Sequence, residues 1–161
     1  MTSIDLKNIE FLTKEDKYQT LFTYWKGISD PSVDWVANTG NAAALMKELF
    51  NWWWVGFYRV VNNELILGPF QGPTACNKIA FGKGVCGKSW ENQSTILVPN
   101  VHDFDGHIAC SSASNSEIVV PIWKNETIWG VLDVDSEHFE HFDALDQKYL
   151  ELFCQNISEI L

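Results

Sequence analysis

A change in the spacing of apolar residues limits this chain to an architecture with helices at its ends and strands at its centre. From Thr13 to about Lys26 and from Asp30 to about Phe50, apolar residues recur every three or four positions, which predicts two helices. The same spacing returns after Asp143 and predicts a final helix. The residues between are aromatic and β-branched runs separated by turn residues, which predicts about six strands.

Capping and turn residues give the expected boundaries of these elements. Asp30 followed by Pro31 is typical of a helix start, with the aspartate as N-cap and the proline in the first turn. Asn62-Asn63 and Lys124-Asn125-Glu126 separate pairs of apolar runs, which predicts two hairpins. The order of elements predicts an α+β fold, with a mainly antiparallel sheet and the N-terminal and C-terminal helices packed on one face.

The chain is expected to form a single domain over residues 1–161, because no internal repeat or Pro/Gly/Ser-rich linker divides it. We expect a helical N-terminal part (1–50), a central part with the sheet and active-site loops (51–142) and a C-terminal helix (143–161). The 11 Lys and Arg against 21 Asp and Glu give a formal net charge of −10. This charge repels phosphate groups, so no nucleic-acid or membrane partner is expected.

Three cysteines, Cys76, Cys86 and Cys110, lie in the middle of the chain. The first residues lack the basic and apolar regions of a signal peptide, so a cytoplasmic location is expected, where cysteines stay reduced unless they have a function. Cys86 follows Gly84 at a predicted helix start, where the helix dipole would favour its thiolate. Redox chemistry is therefore favoured for these three, whereas Cys154 on the last helix is expected to be packed in the core.

Metal binding is the alternative use of these cysteines. His102 and His107 are further candidate ligands, but the chain has no Cys-x-x-Cys pair, and His107 with Cys110 alone is weak evidence. No metal site is therefore predicted, and a zinc-stabilised interaction domain is kept as an alternative.

Three carboxylates are expected to meet at one end of the second hairpin. Asp133 and Asp135 are two residues apart on a predicted strand, so their side chains project to the same face. Glu117 begins the preceding strand and lies near both if the hairpin is in register. Such a cluster would bind a cation, either a metal ion or a ligand ammonium group. Crowding would also raise the pKa of its members and leave one able to donate a proton.

Aromatic residues crowd the first predicted strand. Trp52, Trp54 and Tyr58 are expected on one face and Trp53 and Phe57 on the other. Most of them are expected in the core. A Trp–Tyr wall beside carboxylates would suit a small ligand with one apolar and one cationic end.

Six motifs lie between Trp54 and about Phe142. They are Trp54-Val55-Gly56-Phe57-Tyr58, Leu67-Gly68-Pro69-Phe70-Gln71-Gly72, Gly84-Val85-Cys86-Gly87, Gly106-His107-Ile108-Ala109-Cys110, Ser112-Ala113-Ser114-Asn115-Ser116-Glu117-Ile118-Val119-Val120-Pro121 and Gly130-Val131-Leu132-Asp133-Val134-Asp135-Ser136. With these motifs, the stretch resembles the free methionine-(R)-sulfoxide reductases, a family built on the GAF fold. The cysteine spacings of that family are also matched, and ordinary ligand-sensing GAF domains lack this cysteine set.

The resemblance implies an L-methionine (R)-S-oxide reductase that forms a cysteine sulfenic acid and then an intramolecular disulfide. It makes Cys110 the nucleophile, with Cys76 favoured as the resolving cysteine. Cys86 is the alternative resolving cysteine, or it could relay the disulfide. Thioredoxin would recycle the disulfide, and no cofactor is expected.

The resemblance also implies how free methionine-(R)-sulfoxide would bind. Trp54 and Tyr58 would pack against the methylthio end, and Glu117, Asp133 and Asp135 would hold the ammonium group. Glu117 and Asp135 are also expected to act in catalysis as candidate proton donors. A non-catalytic GAF-type sensor of a small ligand is the alternative function, and the sequence leaves open whether the chain forms a homodimer.

Overall fold

The computed structural model describes residues 9–106 and 113–161. Within these ranges the chain forms four α-helices, six strands and two short 3₁₀ helices at Ile9–Phe11 and Val101–Asp103. None of the described helices combines the length and apolar character needed to cross a bilayer. In chain order the elements are α1 (Lys14–Ile28), α2 (Trp35–Phe50), β1 (Trp54–Val61), β2 (Glu64–Gln71), β3 (Lys78–Ala80), α3 (Gly84–Asn92), β4 (Ile96–Val98), β5 (Ser116–Lys124), β6 (Thr127–Ser136) and α4 (Ala144–Ser158).

The six strands form one sheet in the order β3-β2-β1-β6-β5-β4, and every pairing between described neighbours is antiparallel. The predicted α+β class and the six-stranded antiparallel sheet are therefore confirmed. Strand β6, which carries two of the predicted site aspartates, lies between β1 and β5 at the centre of the sheet. Residues on one face of β6 consequently have neighbours from two other strands.

Two short turns set the register of the sheet. Asn62 and Asn63 both adopt positive φ, of 50° and 62°, between β1 and β2. Asn125 and Glu126 do the same between β5 and β6, with φ of 49° and 63°. Two consecutive residues of positive φ match the right-handed twist of paired strands, which is why both predicted hairpins form.

The two faces of the sheet carry different layers. Helices α1, α2 and α4 pack on one face, in a core that includes Tyr18, Met46 and Phe153 with Phe57 from β1. The other face is covered by α3 and includes Trp54 and Tyr58. The predicted packing of terminal helices on one face is confirmed. Strand alternation predicts Trp52 on the same face as Trp54, and this prediction is wrong because Trp52 precedes β1. Trp52 belongs to the helical core, where its ring stacks on that of Phe50 with 4.2 Å between the ring centres.

The second helix begins four residues later than predicted from its sequence. Asp34, not Asp30, is the N-cap, and its side chain accepts a hydrogen bond from the Val36 N–H at 2.8 Å. Asp30 instead accepts from the N–H and hydroxyl of Ser32 in the preceding turn. Both aspartates satisfy backbone donors locally, and only contacts made by the folded helix decide between the two starts.

We expect replacement of the N-cap of α2 to be the more costly of two otherwise similar changes. Asp34→Ala leaves a helical N–H unpaired and should lower the free energy of unfolding by about 1 kcal/mol. Asp30→Ala disturbs only an exposed turn and should lower it by about half as much or less. Urea denaturation followed by circular dichroism measures both. A larger loss for Asp30→Ala than for Asp34→Ala would contradict Asp34 as the N-cap.

Candidate active site

The three predicted carboxylates meet on the α3 side of the sheet. Glu117 lies directly opposite Asp135 in the β5–β6 pairing, as expected for a hairpin in register. Asp133 projects to the same face and lies opposite Gly56 of β1. Glu117 and Asp133 are almost completely buried, with 6% and 7% of their surface exposed, and Asp135 is partly buried. These acids are therefore not solvated strand ends.

Burial raises the pKa of all three carboxyl groups, and repulsion from neighbouring carboxylates adds to the shift at Glu117 and Asp133. Loss of hydration is the larger cause for Glu117, followed by the charges of Asp133 and Asp135. The pKa of Asp133 is likewise raised well above its usual value, although hydrogen bonds with Cys86 and Glu117 oppose the shift. Burial raises the pKa of Asp135 to about 6, despite a hydrogen bond from the Ser114 hydroxyl. The cluster therefore retains protons near neutral pH.

Cys86 on α3 completes this cluster. Its thiol hydrogen-bonds Asp133, and its Sγ and one oxygen each of Glu117 and Asp133 lie within 4.8 Å of one another. The thiol is buried, and burial together with the charges of Asp133 and Glu117 raises its pKa well above the usual value. The expected dipole-stabilised thiolate is therefore wrong for this cysteine, because desolvation and two carboxylates outweigh one helix start.

An aromatic wall stands beside the carboxylates. The Trp54 ring stacks on Phe70 at 5.3 Å and lies 6.1 Å from Tyr58. Gly56 makes this packing possible, since a Cβ there would lie 2.4 Å from the Phe70 Cβ and 2.5 Å from the Trp54 ring. The predicted Trp–Tyr surface is thus assembled next to Asp133, with Phe70 as a further member.

The polar ends of this wall hold the segment that contains Cys76. The indole N–H of Trp54 donates to the Pro73 carbonyl at 3.1 Å, and the Tyr58 hydroxyl donates to the Cys76 carbonyl at 3.0 Å. Gly72 begins the segment with a φ of 141° and lies against the Trp54 side chain. Trp54 and Tyr58 of β1 therefore connect the aromatic wall to the backbone of the segment that contains Cys76.

The cysteines differ in oxidation state. Cys76 takes part in a disulfide, whereas Cys86 and Cys154 are buried free thiols. Cys154 belongs to the helical core, as expected. The fourth cysteine, Cys110, lies among residues 107–112, outside the described residues, and so does His107.

The described residues offer one group of possible metal donors. It consists of Cys86, Glu117 and Asp133, which is one thiol with two carboxylates, whereas structural zinc sites use four cysteine and histidine ligands. His102 is not part of it, and its ring pairs with the Asn115 amide oxygen at 3.0 Å. A zinc-stabilised interaction domain remains the alternative, and the zinc content of the purified protein would test it.

Sequence reasoning missed two residues of this site. Ser114 donates its hydroxyl hydrogen to Asp135, and Phe70 extends the aromatic wall. Both lie in the motifs that carried the family resemblance. Their roles could not be read from spacing, because each contact joins segments far apart in the chain.

Comparisons with known proteins agree with this architecture. A family model described as a GAF domain matches residues 40–161. GAF domain-containing protein A of Dictyostelium discoideum is 50% identical over 86% of this chain and 88% of its own length. The free methionine-R-sulfoxide reductase of Saccharomyces cerevisiae is 41% identical over 92% of this chain and 87% of its own.

A solved structure is also similar to this chain. The free methionine-R-sulfoxide reductase of Neisseria meningitidis, in complex with its substrate, superposes with a TM-score of 0.88 at 44% identity, covering 92% of this chain and 90% of that one. The fold and the family model define a GAF domain. Within that class, the chain belongs to the free methionine-R-sulfoxide reductase family.

Asp135 should make stability depend on pH. Its folded-state pKa of about 6 exceeds the ordinary 3.8, so its contribution to stability is present below pH 4 and is lost as the pH rises through 6. Asp135→Asn cannot ionise and escapes this loss. The free energy of unfolding of the variant, minus that of the parent protein, should therefore increase between pH 4 and 6 by up to about 1.4 kcal/mol per pH unit.

Urea denaturation at pH 4, 5, 6 and 7 measures this difference. The matched control is Asp105→Asn, which changes an exposed aspartate. Parallel stability curves for Asp135→Asn and the parent protein would contradict the raised pKa.

Proposed function

We propose that this protein is an L-methionine (R)-S-oxide reductase that reduces free methionine-(R)-sulfoxide to methionine. The observation that carries the proposal is the position of the buried carboxyl groups, whose pKa values are raised, beside the aromatic wall. The Tyr58 hydroxyl of that wall donates a hydrogen bond to the carbonyl of the disulfide-bonded Cys76. Free methionine-R-sulfoxide reductases of 38–44% identity over more than nine-tenths of the chain support the substrate and its epimer.

The carboxylates would recognise the ammonium group of a free amino acid. Among the described residues, Asp133 Oδ1 is buried without a hydrogen-bond partner, so it offers an acceptor to an entering cation. Glu117 and Asp135 share the same face and would complete the cage. A peptide-bound methionine sulfoxide lacks the ammonium group and would leave the buried Asp133 oxygen without a donor, which favours the free amino acid. Trp54 and Tyr58 would contact the methylthio end.

The reaction needs a nucleophilic sulfur and an acid. We assign the nucleophile to Cys110, whose thiolate attacks the sulfoxide sulfur while Glu117 or Asp135 protonates the departing oxygen. The protonated oxygen passes to the Cys110 sulfur as the bond between the two sulfurs breaks, which leaves methionine and a sulfenic acid on Cys110. The raised pKa values of both carboxyl groups support them as proton donors near neutral pH.

Cys76 is the resolving cysteine in this proposal. Its thiol attacks the sulfenic acid, a Cys76–Cys110 disulfide forms, and the hydroxyl leaves as water with one proton. The disulfide at Cys76, together with the buried free thiol of Cys86, favours Cys76 over Cys86 in this role. Cys86 would instead hydrogen-bond Asp133. A protein dithiol, which we propose to be thioredoxin in the cytoplasm, returns both cysteines to thiols. A homodimer is compatible with this scheme but not required by it.

The central experiment offers the enzyme free and N-acetylated methionine sulfoxide epimers, with dithiothreitol as reductant, and measures methionine. We expect consumption of the free R epimer, with the other forms consumed about 100-fold more slowly or not at all. Cys110→Ser should abolish the reaction. In a single-turnover assay without dithiothreitol, which would itself reduce a sulfenic acid, Cys76→Ser should form one methionine per enzyme and retain a sulfenic acid. Cys86→Ser should still turn over. Tight ligand binding without turnover in the parent protein would instead indicate a sensor.

The ammonium cage predicts a binding effect at Asp133. Asp133→Asn keeps the shape but cannot ionise to balance the charge of the entering ammonium group, so the KM for free methionine-(R)-sulfoxide should rise roughly 10- to 100-fold. The matched control is Asp34→Asn, since asparagine also caps helices and Asp34 lies on the opposite side of the fold, at the start of α2. An unchanged KM in Asp133→Asn, measured at pH 7, would remove this residue from the substrate site.

A further inference from the structure

We infer that the exposed edge of β3 is the docking surface for the protein dithiol that reduces Cys76. The surface, which we name the β3-edge patch, consists of Cys76, Lys78, Phe81 and Lys83. This inference rests on the proposed function and adds to it the surface on which the reductant binds.

The patch begins at the reacting sulfur. Cys76 is half-buried, and the backbone continues directly into β3, which pairs with β2 on one side only among the described strands. Phe81 follows β3 and lies roughly 16 Å along the chain from Cys76 at strand spacing. A protein that brings a thiolate to Cys76 would therefore cover both within an interface of ordinary size.

Phe81 gives the patch an apolar anchor. Its ring is 46% exposed, although its edge packs against Trp90 at 4.8 Å between ring centres. The turn that carries it is rigid, since the Lys83 N–H donates to the Ala80 carbonyl and the Gly87 N–H to the Lys83 carbonyl. An aromatic side chain on a fixed turn loses little conformational entropy when a partner covers it.

Charge distinguishes the patch from the rest of the surface. Residues 65–90 contain Lys78, Lys83 and Lys88 and no Asp or Glu, in a chain of net charge −10. Lys78 pairs with Glu64 and Lys88 with Glu91, but Lys83 is exposed and makes no ion pair with any described residue. The patch therefore favours a partner with carboxylates around an apolar dithiol surface, which the remaining acidic surface would repel.

The thiol–disulfide exchange on this surface needs no reactant other than the partner dithiol, which supplies both electrons and both protons. A thiolate of the partner attacks the Cys76 sulfur, forms a mixed disulfide and releases Cys110 as a thiolate that takes up a proton. The second partner thiol then attacks the mixed disulfide, which releases the Cys76 thiol. The partner loses two electrons and two protons, and the two cysteines of the enzyme gain them.

The test compares two reductants on the same variants. Thioredoxin, with its NADPH-dependent reductase, needs the docking surface, whereas dithiothreitol does not. Phe81→Ala and Lys83→Glu should each raise the KM for thioredoxin about five- to tenfold. The dithiothreitol-driven kcat and the KM for the sulfoxide should stay unchanged. Lys83→Gln should give an intermediate effect and guards against a folding defect caused by charge reversal.

Matched controls lie elsewhere on the sheet. Lys124→Glu makes the same charge change on β5, four strand positions and roughly 19 Å from β3. Phe139→Ala removes an aromatic ring that is 55% exposed near the opposite edge strand. An unchanged thioredoxin KM in both patch variants, or equal increases in the controls, would overturn the docking surface. Absence of methionine formation with dithiothreitol in the parent protein would instead overturn the proposed function itself.

Discussion

The site depends on the position of β6 between β1 and β5. Because β6 is central, each of its two aspartates faces residues from both neighbours, and Glu117 and Trp54 lie opposite Asp135 from either side. Helix α3 covers this face of the sheet, so the carboxylates are held together despite their repulsion. The raised pKa values and the thiol–carboxylate hydrogen bond follow from this enforced proximity.

Buried carboxylates destabilise a fold, and the other face of the same sheet offsets that cost. Helices α1, α2 and α4 enclose a large aromatic and aliphatic core there, which includes a stacked Tyr18–Tyr149 pair at 4.9 Å. Beside this core lies Asp146, but its carboxylate is paired with Lys14 and accepts a hydrogen bond from Tyr18. The contrast is informative, because a structural buried acid has its partners, whereas Asp133 keeps one oxygen without a partner among the described residues.

The sequence was a good guide wherever local chemistry decides the structure. The hairpin turns at Asn62-Asn63 and Asn125-Glu126 adopt positive φ, and three of these four residues are asparagine, which tolerates it, so the strands and the convergence of the three acids could be predicted. The N-cap of α2 was misplaced because Asp30 and Asp34 are equally good caps in isolation. The buried state of the Cys86 thiol was missed for a similar reason, since its helix position was visible but the carboxylates beside it come from β5 and β6.

The aromatic wall links the two halves of the proposed chemistry. Trp54 and Tyr58 each present a ring to the cluster side and a polar hydrogen to the backbone between Pro73 and Cys76. The sequence predicted only the placement of the rings beside the carboxylates, because the face on which a strand side chain lies follows from strand periodicity. The hydrogen-bond partners in the loop do not follow from periodicity. A substrate that contacts these rings would therefore act on the same side chains that hold the backbone of Cys76, the proposed resolving cysteine. In the proposed mechanism, two hydrogen bonds would connect occupancy of the site with the position of that backbone.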